Sequence, residues 1–304
     1  NVNSLLDQSQ VAGGHEAFLS LTSNGDRPYT FVEIFSQLAW GLGYCGMPHI
    51  LTRFMAVKNQ KELRKSRVIA IVWVALSLGA AVVIGVLGRA YLFPVILGTE
   101  GAASTESVFV EMITKIFTED LHLPFIGGLF LCGILAAIMS TADSQLLVTA
   151  SSVSKDIYKD IFCPDADEKK ILKISRLTVI IVAVLAFAIA WNPENSIMGL
   201  VSNAWAGLGA AFGPIVLMSL FWRRTNFAGA VAGIISGGLT VIIWDYLPLA
   251  EGATLGAATG LYSLAVGFVI SILCIVIFSL CTKAPSQEIL DEFDAVRSMK
   301  TEEV

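Results

Sequence analysis

Seven apolar segments follow one another along the chain, at residues 29–52, 68–97, 123–153, 174–191, 197–222, 226–247 and 258–282. Each is about as long as the helix needed to cross the roughly 30 Å hydrocarbon core of a bilayer. They are too long and too uniformly apolar for the strands of a membrane barrel. We therefore expect an all-α membrane protein with seven transmembrane helices. Because segment 123–153 exceeds one crossing, its end is expected to project or bend.

The linkers between these segments alternate in charge. Most of the 20 lysines and arginines lie in the linkers after the first, third, fifth and seventh segments, and the other linkers are acidic. The positive-inside rule makes the cationic linkers cytoplasmic. Residues 1–28 are then an extracellular loop, and the tail 284–304 is cytoplasmic.

Composition agrees with a membrane protein. Of the 304 residues, 55% are hydrophobic and 15% charged, with a net charge of −5. These values exclude a disordered chain and an ordinary soluble enzyme, and no basic excess exists to bind nucleic acid. No enzyme motif occurs, and the five cysteines are expected to be reduced. Since the chain opens on Asn-Val-Asn, it is expected to be a piece of a longer protein that starts in a loop.

The first apolar segment contains residues that interrupt helices. Three glycines and a proline fall within Trp40–Pro48, and proline removes a backbone hydrogen bond. Unwound backbone in a membrane lies beside a cavity or inside protein, and interrupted helices point to transporter binding sites. Trp40 and Tyr44 would cover a small apolar solute, while freed amides hold its carboxylate. The alternative is a kinked helix with glycines for close packing and a tryptophan that fills space.

The third segment carries polar groups near its middle. Ser140 and Thr141 lie there, one turn after Ala137, and Asp143 and Ser144 lie one turn further on. A bound cation would compensate a mid-membrane carboxylate, which costs at least roughly 2.5–3.5 kcal/mol. Hard cations such as sodium prefer oxygen ligands. The alternative is that the hydroxyls bond to carbonyls one turn earlier and that Asp143 pairs with a cation elsewhere.

Two glycine patterns mark the later segments. Gly213-Pro214 predicts a kink that would serve as a gating hinge, or else a static packing kink. Gly229, Gly233 and Gly237 recur every four residues and predict a helix-packing face.

Longer motifs containing these residues resemble the sodium/solute symporter family, specifically its bacterial proline carriers. The resemblance covers about residues 31–293, and its motifs are residues 40–50, 133–147, 204–214 and 283–286. It implies the second half of a LeuT-like five-plus-five inverted-repeat transporter fold. Residues 29–222 would be the five core helices, and 223–283 two additional C-terminal helices. The missing N-terminal half of the same transporter would be a partner.

The resemblance also assigns residues. It places proline contacts at Trp40, Tyr44 and Pro48, in the stretch that includes Gly43. It assigns sodium to the carbonyl of Ala137 and the hydroxyls of Ser140 and Thr141. Asp143 and Ser144 match a further cation site of some relatives, although Asp143 departs from the hydroxyl expected there. Cys45 and Met47 depart from the residues of the enterobacterial carriers.

These implications describe a multi-pass protein of the plasma (inner) membrane, with no enzymatic activity. It would couple inward sodium flow to uptake of L-proline, or of a similar small zwitterion, by alternating access. The alternatives are a sodium symporter for another osmolyte, pantothenate or a sugar acid, and a transporter-like membrane domain of a sensor.

Overall fold

A computed structural model describes residues 2–8, 14–23, 27–98, 104–191, 196–248 and 252–299. In chain order the helices are α1 (Val2–Gln8), α2 (Gly14–Phe18), α3 (Phe31–Leu38), α4 (Trp40–Gly43), α5 (Pro48–Met55), α6 (Gln60–Tyr91), α7 (Val108–Thr114), α8 (Pro124–Ser151), α9 (Glu168–Ala190), α10 (Ile197–Phe221), α11 (Phe227–Tyr246), α12 (Leu255–Thr259), α13 (Ser263–Cys281) and α14 (Gln287–Met299). The described part of the chain contains no strand, which confirms the expected all-α class.

Six stretches of helix are long and apolar enough to cross a membrane within the described ranges. They are Lys61–Tyr91, Pro124–Phe162, Glu168–Ala190, Ile197–Phe221, Phe227–Tyr246 and Ser263–Cys281. The expected seventh, residues 29–52, is divided among α3, α4 and α5. The sequence prediction of seven segments therefore holds as six long helices and one interrupted helix.

The third apolar segment is longer than one membrane crossing. Helix α8 continues as a π-helix over Ser152–Phe162, so the helical stretch has 39 residues. At 1.5 Å per residue it is about 58 Å long. The expected length beyond one crossing is confirmed, and the projection or bend of its end stays a prediction.

The chain divides into two compact units. The first comprises Asn1–Tyr29 and Ala56–Pro193, and the second comprises Thr30–Met55 and Glu194–Val304. The expected loop 1–28 contains the short helices α1 and α2, which differs from a structureless connection. Its side of the membrane stays a prediction, as do the domain boundaries.

Within the first unit, long helices pack through a few small residues. A Cβ atom at Gly88 of α6 would lie 2.5 Å from Val108 and 2.8 Å from Met112 of α7. The rings of Phe117 and Phe130 stack at 5.0 Å. Most other apolar side chains of α6, α8 and α9 are exposed. Such surfaces suit lipid, which needs no polar covering.

The second unit has a denser interior, in which α11 packs on α13. A Cβ at Gly233 or Gly237 would collide with the opposing helices, and Ser271 Oγ donates a 2.9 Å hydrogen bond to the Gly233 carbonyl. A Cβ at Gly229 would likewise collide with the Ser279 side chain. Absence of side chains lets the backbones approach closely. The predicted glycine packing face is confirmed.

The C-terminal tail contains a short helix, α14, held by an ion pair. Arg223 Nη2 and Nε donate to the Asp294 carboxylate at 2.6 and 3.0 Å. This carboxylate raises the pKa of Arg223, chiefly through the hydrogen bond. Both side chains are about half exposed, so the pair contributes little stability.

Candidate functional site

The interruption of the first apolar segment lies between Ala39 and Pro48. Helix α4 gives way to a 3₁₀ turn at Tyr44–Gly46, and Met47 is extended with φ −86° and ψ 114°. Helix α5 then begins at Pro48. Proline has no backbone N–H, and at the first position of a helix that N–H would have no partner within the helix. The predicted opening of this helix is confirmed. It also removes Pro48 from the helical face that Trp40 and Tyr44 share.

Helix α10 lies directly against the interruption. A Cβ on Gly43 would overlap the indole of Trp205, and one on Gly46 would lie 2.5 Å from the Leu208 carbonyl oxygen and 2.8 Å from Gly209 Cα. Only glycine permits such contacts between backbones. The glycines therefore serve close packing as well as unwinding, so the two sequence interpretations are both realised.

Aromatic rings cover this contact. Trp40 stacks with Trp205 at 5.4 Å and with Tyr262 at 5.9 Å, each with an interplanar angle of 12°. Trp205 Nε1 also donates a 2.9 Å hydrogen bond to the Trp40 carbonyl, so a backbone group near the break has a partner. Tyr44 meets Trp205 edge-on at 4.8 Å. Trp40 is thus engaged in stacking.

The remaining predicted solute residues are accessible. Tyr44 is 49% exposed, and Pro48 is exposed as well. Tyr44 therefore offers the free aromatic surface that the sequence analysis gave to Trp40 and Tyr44 together. The sequence did not indicate Trp205 and Tyr262 as ring partners. A tryptophan in the middle of an apolar segment, away from both interfaces, was the available signal for Trp205.

The predicted cation residues lie together on α8. At 100° per residue, Ala137, Ser140, Thr141 and Ser144 fall within about 100° of the helix circumference, and Asp143 lies about 60° beyond that arc. The face is exposed apart from the half-buried Ser144. The structure therefore brings the five residues onto one accessible side of the helix.

The hydroxyls on this face bond to their own helix. Thr141 Oγ1 donates to the Ala137 carbonyl at 3.3 Å, and Ser144 Oγ to the Ser140 carbonyl at 2.9 Å. This is the back-bonding that the sequence analysis left open as an alternative. The hydroxyl oxygens keep their lone pairs, whereas each of these carbonyls accepts both the hydroxyl and the backbone amide one turn onward. Asp143 has no ion-pair partner among the described residues, so the expected distant cation is not observed there.

The predicted hinge residues are buried in α10. The helix runs unbroken over Ile197–Phe221 with Pro214 inside it. A Cβ at Gly213 would lie 2.8 Å from the Phe268 ring, and Pro214 is fully buried. Any hinge motion here would also have to move these neighbouring residues. The gating role stays a prediction.

The solute residues and the hinge belong to the second unit, and the cation residues belong to the first. Over the described ranges, no group of three or more His, Cys, Asp or Glu side chains is arranged to hold a metal ion. Any cation on α8 would therefore be held by hydroxyl, carbonyl and single carboxylate oxygens.

Comparison with known proteins identifies relatives. The model of the sodium:solute symporter family matches residues 5–237. The chain is 42% identical to the sodium/proline symporter of Staphylococcus aureus over 278 residues, 90% of this chain and 52% of that protein. It is 44% identical to the high-affinity proline transporter PutP of Bacillus subtilis over 86% of this chain and 52% of PutP. It is 43% identical to the osmoregulated proline transporter OpuE of the same organism over 84% and 49%.

The chain thus spans about half the length of the curated relatives it matches. The matches do not support the expectation of a missing N-terminal half as a separate partner. Together with the six span-length helices, they make the chain part of a multi-pass membrane protein.

Proposed function

The chain belongs to the sodium:solute symporter family, and from this premise we propose that the full-length protein couples sodium entry to uptake of L-proline or a similar small zwitterion. One observation carries the proposal. Three relatives at 42–44% identity are each named for proline, and the aligned segments cover 84–90% of this chain. The interrupted helix of the second unit supports it, since such interruptions accompany transporter binding sites.

The solute side of the proposal rests on Tyr44 and the unwound backbone beside it. The half-exposed ring of Tyr44 packs on the apolar ring of proline, and backbone amides of the interruption receive the carboxylate. Trp40 acts by stacking on Trp205 and Tyr262, which fixes the position of Tyr44. Gly43 admits the Trp205 indole, and Pro48 starts the second half of the helix.

The sodium side of the proposal rests on the oxygens of α8. Adjacent oxygens around an octahedral hard cation at 2.3–2.6 Å are about 3.3–3.7 Å apart. Thr141 Oγ1 and the Ala137 carbonyl oxygen are 3.3 Å apart. The two oxygens therefore lie at a spacing that suits one cation, which would bind once the hydroxyl hydrogen turns away from the carbonyl. Ser140 extends this set, and Asp143 and Ser144 supply oxygens for charge compensation one turn onward.

Coupling follows from reciprocal binding. Sodium raises the affinity for proline, and proline must raise the affinity for sodium by the same factor. Gly213 and Pro214 provide the hinge for alternating access. The C-terminal tail is cytoplasmic and the protein resides in the plasma (inner) membrane, as the cationic linkers favour.

The test is equilibrium binding of labelled L-proline to the full-length protein in lipid nanodiscs, in sodium chloride and in potassium chloride. We expect sodium to lower the dissociation constant at least tenfold. Thr141→Val, which removes the hydroxyl and keeps the shape, should raise the sodium concentration for half-maximal effect. Thr149→Val is the matched control, because Thr149 makes the same back-bond to Gln145 at 2.9 Å. Equal sodium dependence in both variants would refute the cation site.

A further inference from the structure

A cleft separates the end of α10 from helix α14 in the second unit. Its volume is about 410 Å³, within the roughly 300–1,000 Å³ of small-molecule sites. One wall is the last turn of α10, which includes Leu220 and Phe221. The other wall is a face of α14 with Ile289, Phe293 and Val296. The cleft is therefore mainly apolar, and it contains none of the predicted solute or cation residues.

The apolar side chains of α14 share one face of that helix. Ile289, Phe293 and Val296 stand at positions i, i+4 and i+7, which lie above one another on a helix. Ile289 and Val296 are each more than half exposed. Carboxylates occupy the other faces of α14, at Glu288, Asp291 and Asp294. Helix α14 is thus amphipathic, and the described part of the protein leaves much of its apolar face uncovered.

The cleft opens where a membrane-span-length helix ends. The stretch Ile197–Phe221 is long and apolar enough to cross a membrane, and its last residue, Phe221, is 71% exposed. Trp222 follows directly, as is typical of a membrane–water interface. Exposed apolar side chains at this position contact lipid, so the cleft is continuous with the lipid-facing surface of α10.

Helix α14 is held at the same level of the molecule. The residues 282–286 connect it to α13, another helix of membrane-span length, and this connection is at most about 22 Å long. Arg224 Nη2 holds the connection by a 2.8 Å hydrogen bond to the Thr282 carbonyl. The ion pair of Asp294 with Arg223 ties α14 to the end of α10. The apolar face therefore lies at the edge of the bilayer, where the neighbouring molecules are lipids.

The charges along the cleft indicate the kind of lipid. Glu292 and Arg297 both line it, so one carboxylate and one guanidinium flank the apolar surface. A guanidinium suits a phosphate group, and a carboxylate suits a quaternary or primary ammonium group. An anionic head group would instead face the carboxylates on the rest of α14. The charges therefore favour a head group that carries both signs.

We infer that the cleft between α10 and α14 binds an acyl chain of one zwitterionic phospholipid, which covers the apolar face of α14. Glu292 and Arg297 then flank the head group. Amphipathic helices bury their apolar faces in the membrane interface in the same manner. The inference depends on membrane insertion alone and is independent of sodium and proline.

The experiment is photolabelling of the full-length protein in phosphatidylcholine nanodiscs. The probe is phosphatidylcholine with a diazirine on its acyl chain, and labelled tryptic peptides are identified by mass spectrometry. We expect label on the peptide of residues 284–297. Val296→Gln should lower this labelling about tenfold, the size expected when one valine contact is lost. Ala295→Gln is the matched control, since Ala295 is exposed but does not line the cleft.

A second variant and a second probe complete the test. Ile289→Gln should lower the labelling as well, and a phosphatidylglycerol probe should label more weakly than the phosphatidylcholine probe. The inference is overturned by an unlabelled peptide, by equal labelling of Val296→Gln and Ala295→Gln, or by stronger labelling with phosphatidylglycerol. Cross-links between two copies of α14 without lipid would also overturn it, because they would assign the cleft to a second copy of the chain.

Discussion

Gly43→Ala tests the contact on which the interrupted helix depends. The added methyl group would enter the indole of Trp205, because the three nearest atoms all belong to that ring. The ring has little freedom to retreat. Its Nε1 is bound to the Trp40 carbonyl, and it contacts the rings of Trp40 and Tyr44.

The size of the effect follows from these contacts. Forcing an extra methyl into a packed interior costs about 1–3 kcal/mol, and losing the indole hydrogen bond costs about 0.5–1.5 kcal/mol more. Replacing glycine by alanine offsets about 0.4–1 kcal/mol of this loss, because alanine lowers the conformational entropy of the unfolded chain. We therefore expect Gly43→Ala to lower the free energy of unfolding by about 0.5–4 kcal/mol.

Gly41→Ala is the matched control, two residues earlier in the same short helix. A Cβ atom at Gly41 meets nothing within 4 Å, so this variant should be neutral or stabilised by up to about 1 kcal/mol. The assay is reversible unfolding in mixed micelles, followed by tryptophan fluorescence. If both variants unfold at the same denaturant concentration, the close approach of α10 to the interruption is wrong.

Three further predictions concern single side chains. Tyr44→Ala should weaken proline binding at least about tenfold, since the ring would cover roughly two methylene groups worth about 0.8 kcal/mol each; unchanged affinity would contradict its role. Asp143→Asn should raise the sodium concentration needed for half-maximal proline binding. If the variant and the unaltered protein need the same sodium concentration, Asp143 is a structural residue. Asp294→Asn should speed tryptic cleavage after Arg297, while changing stability by no more than about 1 kcal/mol; equal cleavage rates would show that the Arg223 pair does not hold α14.

Much of the fold could be predicted because membrane helices are specified locally. Long apolar runs give span-length helices whatever they pack against. Clustered glycines and a proline interrupt a helix for reasons contained in a few residues, so the break before Pro48 was predictable. The packing face of Gly229, Gly233 and Gly237 follows from helical spacing alone.

The site could be predicted less completely because its contacts join distant parts of the chain. Trp205 bonds to Trp40 across 165 positions, and no local pattern announces that pairing. Tyr262 lies just outside an apolar helix, where an aromatic side chain is ordinary. For Thr141 the sequence left back-bonding and cation binding as alternatives. The structure shows the back-bond. Cation binding at the same two oxygens would require the hydroxyl hydrogen to turn away, and it stays a prediction.

The most direct test of sodium-coupled transport is uptake of labelled L-proline by the full-length protein in proteoliposomes, with and without an inward sodium gradient. The account predicts accumulation above the external concentration only when the gradient is imposed. It also predicts that excess unlabelled proline abolishes this uptake. Equal uptake with and without the gradient, or none under either condition, would contradict it.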